Sequence, residues 1–220
     1  MKPPFSTEQF LSVFEKYNTV VFPAQIILLL AAVSALALVH AHIKNKNRFI
    51  SSVLSLLWLW NGIVYQMIFF SDINKAALIF GIILSFEAAL ILYEGLLTGR
   101  LTFSFSFKLK DLTGYFLIIY GLFLYPLIHL LSGHNFHTTI SLGLPCPTTI
   151  LTLGFFLLSS GKFPRYLLII PSLWAVIGMS AAINFGIYQD FVMPLAALIS
   201  FVVLTFFNRM HNRKYVAEKN

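Results

Sequence analysis

Seven long apolar segments follow one another along this chain, and few environments other than a lipid bilayer can accommodate them. They cover approximately residues 20–40, 49–70, 76–97, 112–131, 147–160, 166–186 and 191–208. Six of them contain close to the roughly 20 residues that a helix needs to cross a membrane. Charged residues make up only 10% of the chain, whereas about 25% is usual in soluble domains. The sequence therefore predicts an all-α integral membrane protein with seven transmembrane helices.

The positions of the basic residues predict the orientation of these helices. Twelve of the 15 Lys and Arg residues follow the first, third, fifth or seventh segment, and only Lys2, Lys16 and Lys75 fall on the opposite side. Short loops rich in Lys and Arg stay in the cytoplasm. We therefore expect the N-terminus outside and the C-terminus in the cytoplasm.

Three regions are expected along the chain. Residues 1–19 form a short amphipathic interfacial helix, since Ser6 and Gln9 have the spacing of a capping box and apolar residues share one face. Residues 20–208 form the membrane domain, and residues 209–220 form a basic cytoplasmic tail. The net charge of +7 is spread over loops, so the predicted partner is the lipid bilayer and not nucleic acid.

The loop 101–110 alternates apolar and polar residues, which is the period of a β-strand. An unpaired strand could join a second copy of the chain in a homodimer. The alternative is an interfacial loop whose polar side is wetted.

The connection into the fifth segment is the most irregular part of the membrane domain. Pro145 and Pro147 flank Cys146 and precede Thr148, so the segment is short or broken there. Backbone without helical hydrogen bonds must be buried in protein or must line a wet cavity. The cysteine between two prolines resembles the soft-metal motif of heavy-metal pumping ATPases, but it equally fits a simple helix start.

Two carboxyl groups share one face of the third segment. Glu87 lies near its centre, where an ionised side chain costs about 2.5 kcal/mol or more, and Glu94 lies two turns nearer the cytoplasm. Such a pair could form a proton or cation path. Alternatively, Glu87 is a neutral acid bonded to a neighbouring helix and Glu94 reaches the interface.

Other polar residues are expected at the depth of Glu87. Trp60, Asn61 and Trp174 are all mid-segment, and a buried indole N–H requires an acceptor. We therefore predict a midplane polar layer in which the carboxyl group of Glu87 accepts from these side chains. The alternative is aromatic packing, with Asn61 bonded across helices.

The predicted topology collects potential metal ligands on the outer side. They are His129, His134, His137 and Cys146, and imidazole with thiolate suits zinc, copper or a haem. The spacing matches no familiar metal motif, and loop histidines are commonly solvated.

Several stretches of the chain resemble a known family. They read PFSTEQFL at residues 4–11, GLPCPTTI at 143–150 and IPSLW at 170–174. They resemble a family of small bacterial multispan proteins known only as a domain of unknown function. This resemblance implies an inner-membrane location and brings no activity, cofactor or catalytic residue.

Three functions are compatible with these residues. The first is a permease for a small solute or ion, with a site near Glu87 reached through the region of Pro145 to Pro147. The second is a metal- or haem-binding oxidoreductase at the outer face. The third is a non-catalytic accessory membrane subunit. No phosphate loop or nucleophile elbow is present, so hydrolase chemistry has no support.

Overall fold

The described part of the chain is helical almost throughout. The computed structural model describes residues 5–133 and 135–217, with side chains described up to Phe207 except at Phe136. The helices are α1 (Thr7–Val21), α2 (Ala24–His40), α3 (Lys46–Asp72), α4 (Ala77–Leu97), α5 (Leu109–Leu131), α6 (Pro145–Leu157), α7 (Arg165–Phe185) and α8 (Val192–Ala217).

The first helix begins at the predicted capping box. The backbone N–H of Ser6 donates to Gln9 Oε1 at 2.8 Å, and that of Gln9 donates to Ser6 Oγ at 3.2 Å. Between α1 and α2 the chain turns by 84°. The apolar face of α1 is covered by protein, since Phe10 stacks on Phe185 with ring centres 4.4 Å apart.

Five helical stretches of the described chain are long and apolar enough to cross a membrane. They are α3, α4, α5, α7 and Tyr188–Phe207, and the bent pair α1 and α2 would make a sixth. The predicted seven segments are thus all helical, but α6 has only 13 residues and extends about 20 Å. This is less than the hydrocarbon thickness of about 30 Å.

The short helix α6 occupies the centre of the bundle. It packs against α3, α5, α7 and α8, and every residue in it is buried except Cys146, which is half-buried. Two glycines allow α5 to approach closely: a Cβ on Gly114 would lie 2.7 Å from the Gly154 carbonyl oxygen, and one on Gly121 would lie 2.8 Å from that of Pro147. Other helices therefore enclose α6.

The loop 101–110 does not form the expected strand. It contributes one antiparallel bridge, Phe103 to Ser159, and the Ser104 N–H donates to the Leu158 carbonyl at 3.1 Å. Its backbone edge is therefore used within the chain, which removes the reason for expecting a dimer contact there. A dimer by another surface stays a prediction.

Candidate polar sites in the helix bundle

Glu87 is completely buried in α4. Neither carboxyl oxygen has a hydrogen-bond partner among the described residues. A carboxyl group away from water is costly unless it is hydrogen-bonded or paired. Glu87 thus carries an energetic penalty that nothing in the described part of the chain offsets.

Glu94, two turns further along α4, is also completely buried but is fully engaged. Thr98 Oγ1 donates to its Oε2 at 2.8 Å, Tyr166 donates to its Oε1, and the Arg100 guanidinium lies 3.4 Å from Oε1. Thr98 and Arg100 directly follow α4, and Tyr166 belongs to α7, so these contacts stabilise the end of α4 and connect it to α7. Glu94 is therefore a structural contact, and it does not form a pair with Glu87.

The predicted polar layer around Glu87 is not assembled as expected. Trp60 Nε1 donates at 2.7 Å to the hydroxyl of Tyr17, on α1. Asn61 Nδ2 donates to Thr148 Oγ1 at 3.2 Å and to the carbonyl of Leu57 at 2.7 Å. The Trp60 indole and the Asn61 amide therefore donate to acceptors other than Glu87. The prediction that Glu87 would accept these hydrogen bonds is therefore wrong.

A second indole in α3 bonds to the central helix. Trp58 Nε1 donates to Thr152 Oγ1 at 3.0 Å. Together with the Asn61–Thr148 hydrogen bond, it joins α3 to the buried threonines of α6. The α3 helix widens into a π-helix over Asn61–Phe69, so the widened stretch begins at the residue that contacts Thr148. Such widening is frequent at functional sites.

The irregular approach to α6 is buried beneath α1. Leu142 and Leu144 are buried, and the carbonyl of Gly143 accepts a hydrogen bond from the Tyr17 hydroxyl at 2.9 Å. This satisfies the rule that non-helical backbone at membrane depth is covered by protein. Gly143 has φ of +101°, a conformation that side chains with a Cβ rarely adopt.

A narrow crevice lies between Glu87's helix and the proline-flanked cysteine. It has no room for a water molecule, and it is lined by Trp58, Asn61, Leu84, Pro145, Thr148 and Thr149. Leu84 is almost one turn from Glu87, and Pro145 adjoins Cys146. The crevice is closed to water, and Glu87 and Cys146 are not part of its lining, so a route between them stays a prediction.

The largest unpredicted constellation surrounds Asp190, which precedes α8 and is 1% exposed. Tyr125 donates a hydrogen bond to its Oδ1. The Cys146 side chain lies close enough to interact with Asp190, Tyr125 and Trp174. The Trp174 indole N–H makes no hydrogen bond of ordinary geometry within the described residues. A carboxyl, a phenol and a thiol therefore meet where α5, α6 and α8 converge.

The predicted metal site is not formed by the described residues. His129 Nε2 lies 3.3 Å from the Thr138 carbonyl, and Cys146 faces Asp190 instead of a histidine. Among the side chains that the structure describes, no three of His, Cys, Asp or Glu lie together as a metal site would require. His134 lies outside the described residues.

The sequence analysis singled out Cys146 but did not connect it with Asp190. It also did not single out Tyr125, although Tyr125-Pro126 falls inside a long apolar segment, where proline indicates a local change of helix geometry. The structure places Tyr125 directly after a π-helical turn, Tyr120–Leu124.

The fold and these polar contacts define a class. This is an all-helical protein whose long apolar helices are compatible with a multi-pass membrane protein and enclose buried polar groups. The chain belongs to the family of unknown function DUF6064, which matches residues 7–215. Searches among curated proteins and among solved structures gave no match. The predicted membership in a family of unknown function is thus confirmed, while a bacterial origin stays a prediction.

Proposed function

We propose that the protein is a proton-conducting permease of the bacterial inner membrane, with Glu87 as the titrating group at its midplane. The observation that carries this proposal is the contrast between Glu87 and the other buried acids. Glu94, Asp111 and Asp190 all have hydrogen-bond or ion-pair partners, whereas Glu87 has none among the described residues. An intramembrane acid without a structural partner is expected to be functional.

The proposal includes seven spans with the N-terminus outside. Contacts between loops support it, because the segments rich in Lys and Arg meet at one end of the bundle. The Phe103 N–H donates to Asn47 Oδ1 at 2.9 Å, and Lys110 Nζ donates to the Ser159 carbonyl at 2.8 Å. At the other end, Lys16 pairs with Asp72 at 2.7 Å. In this arrangement α6 is a span shielded from lipid by its neighbours.

The size of the crevice favours protons over larger solutes. It leaves no room for a water molecule, so a solute would require a large opening of the bundle. A proton requires only hydrogen-bonding side chains and transient water. Thr148 lines this crevice and the Cys146 side chain interacts with Asp190, so we propose these groups as the carriers beyond Glu87.

Proton flux into proteoliposomes tests this proposal. Purified protein is reconstituted into vesicles that contain a pH-sensitive dye, and a potassium diffusion potential is applied. The native protein is expected to acidify the lumen faster than protein-free vesicles do. Glu87→Gln keeps the shape of the side chain but removes its titrating proton, so its flux should fall to the protein-free rate.

Glu94→Gln is the matched control. It removes a buried acid from the same helix, but one that holds structural contacts, so it should lower the thermal midpoint and leave flux per folded protein unchanged. Glu87→Gln should have an unchanged midpoint. Full flux in Glu87→Gln, or no flux in the native protein, would contradict the proposal.

A further inference from the structure

A deep cleft separates α2 from the second half of α5. Its volume is about 700 Å³, which is within the range of about 300–1,000 Å³ for small-molecule sites. Its apolar walls include Ile26 and Leu29 on α2 and Phe123 and Leu127 on α5.

The end of α2 that is remote from the cleft is in contact with the first half of α5. His40, at the C-terminal end of α2, lies with Nε2 3.2 Å from the Tyr115 hydroxyl and packs on Phe105. At the other end, the 84° turn carries the chain into α1. The two helices therefore diverge from the basic end of the bundle towards α1.

The cleft is lined by polar side chains at one end and by apolar side chains along the rest of its length. The polar residues belong to α1, to the first turn of α2 and to the loop before α6; they are Asn18, Thr19, Gln25, His137, Thr139 and Ser141. The remaining lining is apolar. On α5 the lining runs from Leu122 to Leu130, about 12 Å along the helix. This is most of one leaflet's hydrocarbon depth of about 15 Å.

Among the described residues, no Asp, Glu, Lys or Arg lines the cleft. Anionic headgroups are normally held by Lys or Arg, so this lining does not favour a phosphate. Amide, hydroxyl and imidazole groups instead suit a small neutral headgroup with hydroxyl donors and acceptors. The apolar part of the cleft, which is nearly as long as one leaflet's hydrocarbon is deep, suits an acyl chain.

We propose that this cleft is a binding site for a neutral, hydroxyl-bearing lipid, with its acyl chain between α2 and α5 and its head beside Gln25 and Ser141. The site uses the membrane placement proposed above, but it is independent of proton conduction. Its occupant enters sideways from the leaflet on the α1 side.

Photo-crosslinking tests the site directly. The full-length protein is reconstituted into phosphatidylcholine vesicles that contain diacylglycerol with a diazirine on its acyl chain, and labelled peptides are identified by mass spectrometry. A phosphatidylglycerol with the same acyl chains is the second probe. Diacylglycerol should label the cleft walls around Leu29 and Phe123, and phosphatidylglycerol should label them less.

Two neighbouring residues on α2 provide a matched pair of variants. Leu29 lines the cleft, whereas Leu30 is 60% exposed and lies outside its lining. Leu29→Trp should fill the apolar part of the cleft and lose most of the labelling, while Leu30→Trp should keep it. Leu127→Trp blocks the opposite wall and should behave like Leu29→Trp if the α2 variant fails to fold.

Equal labelling of folded Leu29→Trp and Leu30→Trp would overturn the proposal. So would labelling by phosphatidylglycerol that equals or exceeds labelling by diacylglycerol. Neither result bears on proton flux through Glu87, which is measured separately.

Discussion

At the scale of single residues, one hydroxyl group joins three separate parts of the chain. Tyr17 on α1 donates to the Gly143 carbonyl at 2.9 Å and accepts from Trp60 Nε1 at 2.7 Å. It is 0% exposed. Because it satisfies a buried backbone carbonyl and a partly buried indole at once, its loss would leave two polar groups without a partner.

We expect Tyr17→Phe to destabilise the protein by about 1–3 kcal/mol, the usual cost of orphaning buried polar groups. Thermal unfolding in detergent measures this, at roughly 2–4 °C per kcal/mol for a chain of this size. Tyr188 is 73% exposed, so Tyr188→Phe is the matched control and should leave the midpoint unchanged. Equal midpoints for the two variants would show that the Tyr17 hydroxyl contributes nothing.

At the scale of elements, α6 is the helix on which the others converge. It is apolar around its whole circumference apart from three threonines, and two of those threonines accept hydrogen bonds from α3. Glycines on α5 allow the backbones of α5 and α6 to approach closely. Packing of this kind is the main source of helix association inside a bilayer.

Gly121→Ala tests the close contact between α5 and α6. The added Cβ would lie 2.8 Å from the Pro147 carbonyl oxygen and 3.2 Å from Leu151, so the helices must separate. We expect a loss of about 1–3 kcal/mol, as for other overpacked cores. At Gly161 the Cβ would meet only the Thr102 hydroxyl at 3.3 Å and a backbone oxygen at 4.0 Å. Gly161→Ala is therefore the control, and a similar loss in both variants would contradict the interpretation.

At the scale of the whole molecule, the two ends of the bundle differ in charge. The loops after α2, α4 and α6 contribute Lys and Arg to one end, while α1 and the loop before α6 cover the other. This asymmetry is the physical basis of the proposed orientation, since short basic loops are retained in the cytoplasm.

Cysteine labelling in intact cells checks this orientation. After Cys146→Ser removes the native thiol, single cysteines are introduced at Ala76 and at His42, both exposed and at opposite ends of the bundle. Ala76→Cys should react with a membrane-impermeant maleimide added outside, and His42→Cys only after permeabilisation. The reverse pattern would invert the topology, and reaction at both positions from outside would rule out the alternation of spans.

Much of the local structure could be predicted from the chain alone. Runs of apolar residues without partners for their backbone groups must be helical in lipid, and each predicted segment is indeed a helix. The capping box at Ser6 and the short segment at Pro145 were equally local, because hydroxyl caps and proline geometry act within a few residues.

Only the tertiary structure decided which polar groups would meet. The Trp60 indole donates to Tyr17 and the Trp58 indole donates to Thr152, so Glu87 has no described partner. Asp190 and Tyr125, in contrast, lie together beside Cys146. Hydrophobic patterning sets which segments are helices, but not how each helix is rotated or which neighbour it contacts. Those choices depend on close packing between distant segments, and they determine where the uncompensated acid and the open cleft lie.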